Sequence, residues 1–214
     1  MVSPGHGGSV SLAAVQHHPE DVSGVKLFAF FQCRATGKLQ PIRSRRCCMS
    51  LMEMEAERQS NPVDMIEFVA ANNDWSFERS GEDELAMTVE GRWTDYHVSF
   101  SWMEEFEALH IACAFDVKVP DPRVNEVIKL LSCINGQVLM GHFDLWRQED
   151  IVIFRQSLLL SGGAEPTNRQ VEVLLSNALD TCEAYYQAFQ FVVWSGLDAN
   201  RAMEAVLFET VGEA

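Results

Sequence analysis

The sequence predicts an α+β fold, an antiparallel β-sheet with helices packed on it, and three observations predict it. Apolar residues alternate with a period of two through residues 75–115, with short connections between the runs. Apolar stripes spaced by threes and fours stand before and after that region. The two kinds of pattern segregate along the chain rather than alternating, which selects α+β over a doubly wound α/β fold. The predicted order is α-ββββ-α-ββ-α-α.

The first helix opens at "NPVDM". Asn61 is a good N-cap, Pro62 suits the first helical position, and Asp64 meets the positive end of the helix dipole. Val63, Ile66, Val69 and Ala70 form its stripe, widened by Met65 and Phe68, and it should end near Asn72 to Asp74. Four strands follow. Trp75 and Phe77 alternate before a turn at Ser80-Gly81, then Leu85, Met87 and Val89 alternate up to Gly91. In "YHVSFSW", Tyr96, Val98, Phe100 and Trp102 point one way. Leu109, Ile111, Cys113 and Phe115 continue the period, and the short connections predict a meander with one buried face.

The second helix follows from "VPDPRVNEVIKLLSCINGQ", with Asp121 as its cap and Pro122 as its first residue. Val124, Val127, Ile128, Leu131 and Ile134 would face inward, and Gly136 would stop it. Two strands come next, one carrying Leu139, Phe143 and Leu145, the other Val152, Phe154 and Leu158, with the turn at Gln148 to Asp150. A long helix runs from Val171 to Val193 on the stripe Val171, Leu174, Leu175, Ala178, Cys182, Tyr185, Phe189 and Val192. Ser195-Gly196 breaks it, and Asp198 caps a last helix bearing Met203, Val206 and Leu207.

Charge divides the chain at the stretch "RSRRCCMSLMEME". Residues 1–48 carry six Lys/Arg and two acids, +4, so a chain of net −15 leaves −19 on the rest. Such an acidic body is not the electrostatic footprint of a nucleic-acid binder, nor of a protein that docks on anionic membranes. Residues 1–60 are expected to lie outside the fold, and 61–214 to form a single α+β domain. Residues 1–24 of this leader are Gly, Ser, His and Pro rich, and residues 25–48 add an apolar patch, "VKLFAFFQC", and then a basic cluster. The leader is either disordered or the product of a start placed too far upstream, with Met49, Met52 or Met54 the natural beginning; its arginines and Cys47-Cys48 would otherwise suit a targeting or redox tail. Cys113, Cys133 and Cys182 are scattered and odd in number, which fits reduced thiols in a cytoplasmic protein.

Catalytic and metal signatures are missing from the pattern. His110 and Cys113, three apart on a strand, point to opposite faces, so His110 is expected in solvent and Cys113 in the core. His97 is expected at the surface. No cofactor or metal is predicted. Ser161-Gly162-Gly163 is not a nucleophile elbow, and no lysine follows it as in a phosphate loop. Glu82-Asp83-Glu84 and Glu104-Glu105 are expected at turns as solvated charge, and collectively they would steer basic partner segments. The end of the long helix, "FQFVVW", is apolar nearly all round. Tyr186, Phe189, Phe191, Val193 and Trp194 are therefore the candidate interaction surface, unless the last helix folds back over them.

The runs "NPVDMIEFVAANND", "TVEGRWTDYHVSFSW", "ALHIACAFDVKVP", "RVNEVIKLLSCINGQVLMGHFDLW" and "IVIFRQSLLLSGGAEPTNRQVEVLLSNAL" resemble, in order and spacing, the YbjN family of bacterial proteins over roughly residues 61–211. The resemblance implies a type III secretion chaperone-like fold, a commonly dimeric protein, and a role in sensory-transduction regulation, linked in enterobacteria to motility and stress. It implies no enzymatic activity, and it has no counterpart for residues 1–48. The expected function is a non-enzymatic, chaperone-like binding or regulatory domain, homodimeric by that resemblance, with a protein partner. The alternative is a small-molecule sensor or enzyme with a pocket between sheet and helices, lined by Trp93, Trp102, His142 and Trp146.

Overall fold

A computed structural model of the chain describes residues 60–73 and 75–212. Its elements are α1 (Pro62–Asn72), β1 (Phe77–Arg79), β2 (Glu84–Glu90), β3 (Asp95–Met103), β4 (Ala108–Lys118), α2 (Val124–Asn135), β5 (His142–Trp146), β6 (Ile151–Leu159), α3 (Asn168–Val193) and α4 (Ala199–Gly212). The six strands form one antiparallel sheet in the order β1-β2-β3-β4-β6-β5. The predicted fold class and element order hold.

One face of the sheet packs against the helices. Leu85, Val98, Phe100, Leu109, Ile111, Cys113, Phe115, Phe143, Val152 and Phe154 present their side chains there because residues two apart share a face. Phe115 lies at its centre, edge-on to Tyr96, Phe143 and Tyr186 at ring separations of 6.2, 6.4 and 5.5 Å. These edge-to-face contacts suit the ring quadrupoles and add to the area each ring buries.

The helix ends follow from local chemistry. Asn61 Oδ1 accepts the Val63 amide at 2.9 Å to open α1. Thr167 and Gln170 form a capping box at the start of α3, satisfying amides that the first turn leaves without helical acceptors. Asp198 Oδ1 accepts the Arg201 amide at the start of α4. Gly196, at φ 73, supplies the left-handed turn that ends the long helix.

Four local expectations are corrected. Asp121 and Pro122 lie in a 3-10 turn, Asp121–Arg123, that makes no side-chain cap; the α-helix begins at Val124. The buried stripe of α2 is Val127, Leu130, Leu131 and Ile134, so Ile128 is 51% exposed rather than inward. Leu139 precedes β5 and is almost wholly exposed, and Phe68 lies outside the stripe of α1.

The larger correction concerns the sheet's second face. Every side chain of β4 from Ala108 to Phe115 is buried, those on both faces alike. On the outer face, Ala114, Trp146, Ile151 and Ile153 form a separate apolar cluster, and among the described residues it is made of strand residues alone. His110 is buried there, not in solvent. Cys113 lies in the helical core as expected.

Candidate protein-binding groove

The two acidic stretches that stand twenty residues apart in sequence meet at one end of the sheet. The β1–β2 turn and the β3–β4 connection both lie there because antiparallel pairing sets Glu84 across from Ser101. The Trp102 amide donates to the Asp83 carbonyl at 2.8 Å and closes the junction. Between them is a groove of about 370 Å³ lined by Glu82, Asp83, Glu84, Glu104 and Glu105, with Trp102, Met103 and Phe106 as its apolar lining.

The walls are fixed. Arg79 Nη1 reaches Asp64 at 2.6 Å and Glu67 at 2.8 Å on α1, while its Nε donates to the Gly81 carbonyl at 3.0 Å. Asn61 Nδ2 donates to the Glu82 carbonyl at 3.0 Å and to Asp83 Oδ1 at 2.7 Å. One arginine and one cap residue thus hold the turn against the first helix. On the other wall Glu104–Phe106 is a 3-10 turn ended by Glu107 in the left-handed region at φ 45. The Glu107 carbonyl accepts the Leu160 amide at 2.8 Å, and its carboxylate accepts the Gly162 amide at 3.2 Å, which anchors the connection to the end of β6.

Electrostatically the groove is negative with an apolar floor. Glu82, Asp83, Glu104 and Glu105 are exposed, as expected of turn residues, whereas Glu84 is half-buried. Burial, and then the Asp83 charge, push the Glu84 carboxyl above its ordinary value. Phe106 is 47% exposed. Met103, Ala108 and Leu159 stand in one cross-strand row on the outer face, and Leu159 is 71% exposed, so apolar surface continues beyond the groove. Among the described residues no group of three or more His, Cys, Asp or Glu side chains is arranged to hold a metal ion.

The residues at the end of α3 have divided fates. Tyr186, Phe189 and Val193 are buried, and Phe191 is half-buried against the core. The last helix folds back with Ala199, Ala202, Met203 and Val206 buried, so Trp194, 62% exposed, is the one of the five left well in solvent. The four residues of the alternative pocket do not converge. Trp93 precedes β3 and Trp102 lies near its far end, about 30 Å away at strand rise. Trp146 is buried in the outer-face cluster and His142 is exposed on β5. Sequence reasoning saw both acidic stretches; what it lacked was the register that joins them, and Phe106, which no periodic pattern marks.

The fold and groove define a two-layer α+β domain, helices on one sheet face, with an acidic cleft at one sheet end. A family model described as "Putative bacterial sensory transduction regulator" matches residues 62–191, and the chain belongs to that family, YbjN. Among solved structures, YbjN from E. coli is similar at 12% identity and a TM-score of 0.44, covering 63% of this chain and 90% of that one. A chain of the ExsC–ExsE complex is similar at 17% identity and a TM-score of 0.44, covering 57% of this chain and 88% of that one. No curated protein matches. Among the described residues no helix is long and apolar enough to cross a membrane.

Proposed function

We propose that the chain is a non-enzymatic regulatory domain that binds a partner protein, and that the acidic groove receives a basic segment carrying an apolar anchor. The convergence of five carboxylates around Trp102, Met103 and Phe106 carries this reading. Carboxylates at the rim attract Lys and Arg and accelerate encounter, while the apolar floor supplies grip that does not depend on salt. Membership of a family described as regulators supports the reading, since a regulator acts through partners. On this reading the protein works in the cytoplasm as a homodimer, with Trp194 as an accessory contact. A scattering mass equal to one chain at micromolar concentration would count against the dimer.

The groove is tested by fluorescence anisotropy with a labelled Lys/Arg-rich peptide containing Leu and Phe. Binding should weaken as salt rises, and Glu82→Lys with Glu104→Lys and Glu105→Lys should raise Kd about tenfold or more. These are exposed turn positions, so circular dichroism should be unchanged. A Kd that survives the triple reversal would sink the groove as the binding site.

A further inference from the structure

The outer face of the sheet is a second surface, which adjoins the groove at Ser101. Its centre is built from small residues: Ala86, Ser99 and Ala112 lie in one cross-strand row, with Ser101 and Ala114 in the adjoining rows. Larger side chains stand along the β5–β6 side, among them Trp146 and Arg155. The result is a trough between β2 and β6.

Two observations indicate that the trough is a seat. Ser99 is 4% exposed, and its hydroxyl has no hydrogen-bond partner. A buried hydroxyl without a partner is uncommon and is a ready contact for a peptide group laid over it. In addition, Ala112 is fully buried and Ala114, Ser101 and His110 nearly so, although among the described residues the apolar cluster on this face contains no helical residue. Side chains that dry on a sheet face without a helix call for a covering segment.

We propose that the occupant is this chain's own Val25–Cys33, "VKLFAFFQC", lying across the Ser/Ala trough. The segment holds the longest apolar run in residues 1–48, with Leu27, Phe28, Phe30 and Phe31 to set against Ala112, Ala114 and the Ile153 corner. Small residues on the sheet leave room for large ones from the segment. Chain geometry permits it. The described chain starts at Ser60-Asn61, and Asn61 is bonded to Glu82 and Asp83, immediately before Glu84 at the edge of the outer face. Cys33 lies 27 residues upstream of Ser60, and a tether of that length spans up to about 90 Å, whereas six strands are only about 25 Å wide. Tethering also holds the segment at an effective concentration of order millimolar.

The test is thiol labelling of the full-length chain carrying Ser99→Cys, read by peptide mapping. Alkylation at position 99 should be about tenfold or more slower than in the same chain also carrying Phe28→Asp and Phe31→Asp, because a covered site reacts only when it opens. Cys113 and Cys182, both fully buried beneath the helices, report unfolding and should stay unlabelled in both. If Ser99→Cys itself loosens the core, labelling of Cys113 will show it, and Ser101→Cys is then read in the same way. Equal rates with and without the leader substitutions overturn the proposal. So does protection that grows with protein concentration, since a second copy would then be the cover.

Discussion

At the scale of single residues, His110 is the most consequential side chain that the sequence misplaces. Alternation correctly set it opposite Cys113, but alternation says nothing of whether the second face is wet, and here it is buried. Arg155 Nε donates to His110 Nε2 at 3.3 Å, so that nitrogen serves as acceptor and the ring is neutral. Burial first, then Arg155 and His142, lower its pKa to about 3. Asp144, 3.6 Å from Arg155, is the nearby carboxylate. The unfolded chain therefore binds a proton that the folded chain refuses between pH 6.5 and about 3. Stability is fully present above pH 6.5 and falls with pH below it, by about 1.4 kcal/mol per unit from this group. Glu84, whose carboxyl is raised, acts in the opposite sense, but only nearer the ordinary carboxylate range. Urea midpoints at pH 7 and pH 5.5 should differ in the native chain, and His110→Gln should flatten the difference; an unchanged slope refutes the burial argument. Gly91 makes a second prediction. A Cβ there would overlap the Tyr96 ring and the Glu183 carboxylate, which accepts the Arg92 amide at 2.6 Å. Gly91→Ala should cost about 2 kcal/mol in urea unfolding, as overpacking does.

At the scale of elements, the sequence was legible wherever one periodicity dominated. β2, β3 and β4 alternate cleanly, and Asn61-Pro62 and Asp198 announce their helices by cap chemistry. Legibility failed where several apolar residues compete for one stripe. In α2, Ile128 and Leu130 were both available, and packing against α4 and β5 chose Leu130. Leu139 failed differently, since it is the middle of the apolar run Val138-Leu139-Met140 before Gly141, and such a run marks no single face. The end of α3 was legible as surplus apolar surface, but only the fold shows that α4 covers much of it. Two contacts between elements have measurable weight. Thr167→Ala removes the capping box of the longest helix and should cost about 1 kcal/mol, read from chemical denaturation. Arg79→Ala severs α1 from the β1–β2 turn. Because the guanidinium is 27% exposed and bonds two carboxylates and two carbonyls, its loss should cost about 1–2 kcal/mol. It should also loosen the acidic wall, so peptide affinity at the groove should fall even though Arg79 does not line it.

At the scale of the whole molecule, the division of charge at residue 48 remains the feature through which sequence and fold inform each other. Sequence alone set residues 1–60 apart from the domain; the seat proposed for Val25–Cys33 rests on strand pairing that no linear pattern displays. The remaining body is acidic by −19, and ion pairs among the described residues do not offset it: Arg79, Arg147, Lys129 and Arg169 each sit beside carboxylates, but beyond residue 48 the chain has 31 − 2 = 29 acids against 16 − 6 = 10 bases. Two terms then compete when salt is added. Screening weakens the exposed ion pairs, each worth at most about 1 kcal/mol, and it weakens mutual repulsion among the surplus carboxylates, which extends across the whole surface. Repulsion should win because 31 acids face 16 bases. At pH 7.5, raising sodium chloride from about 10 mM to about 300 mM shortens the Debye length from about 30 Å to under 10 Å and should raise Tm by several degrees. Differential scanning calorimetry decides the sign. A fall in Tm would mean that the ion pairs at the Arg79 and Arg147 clusters outweigh the net charge. Glu104→Lys with Glu105→Lys should reduce the salt response, since it removes surplus repulsion at the groove, where the negative charge is most concentrated among the described turns.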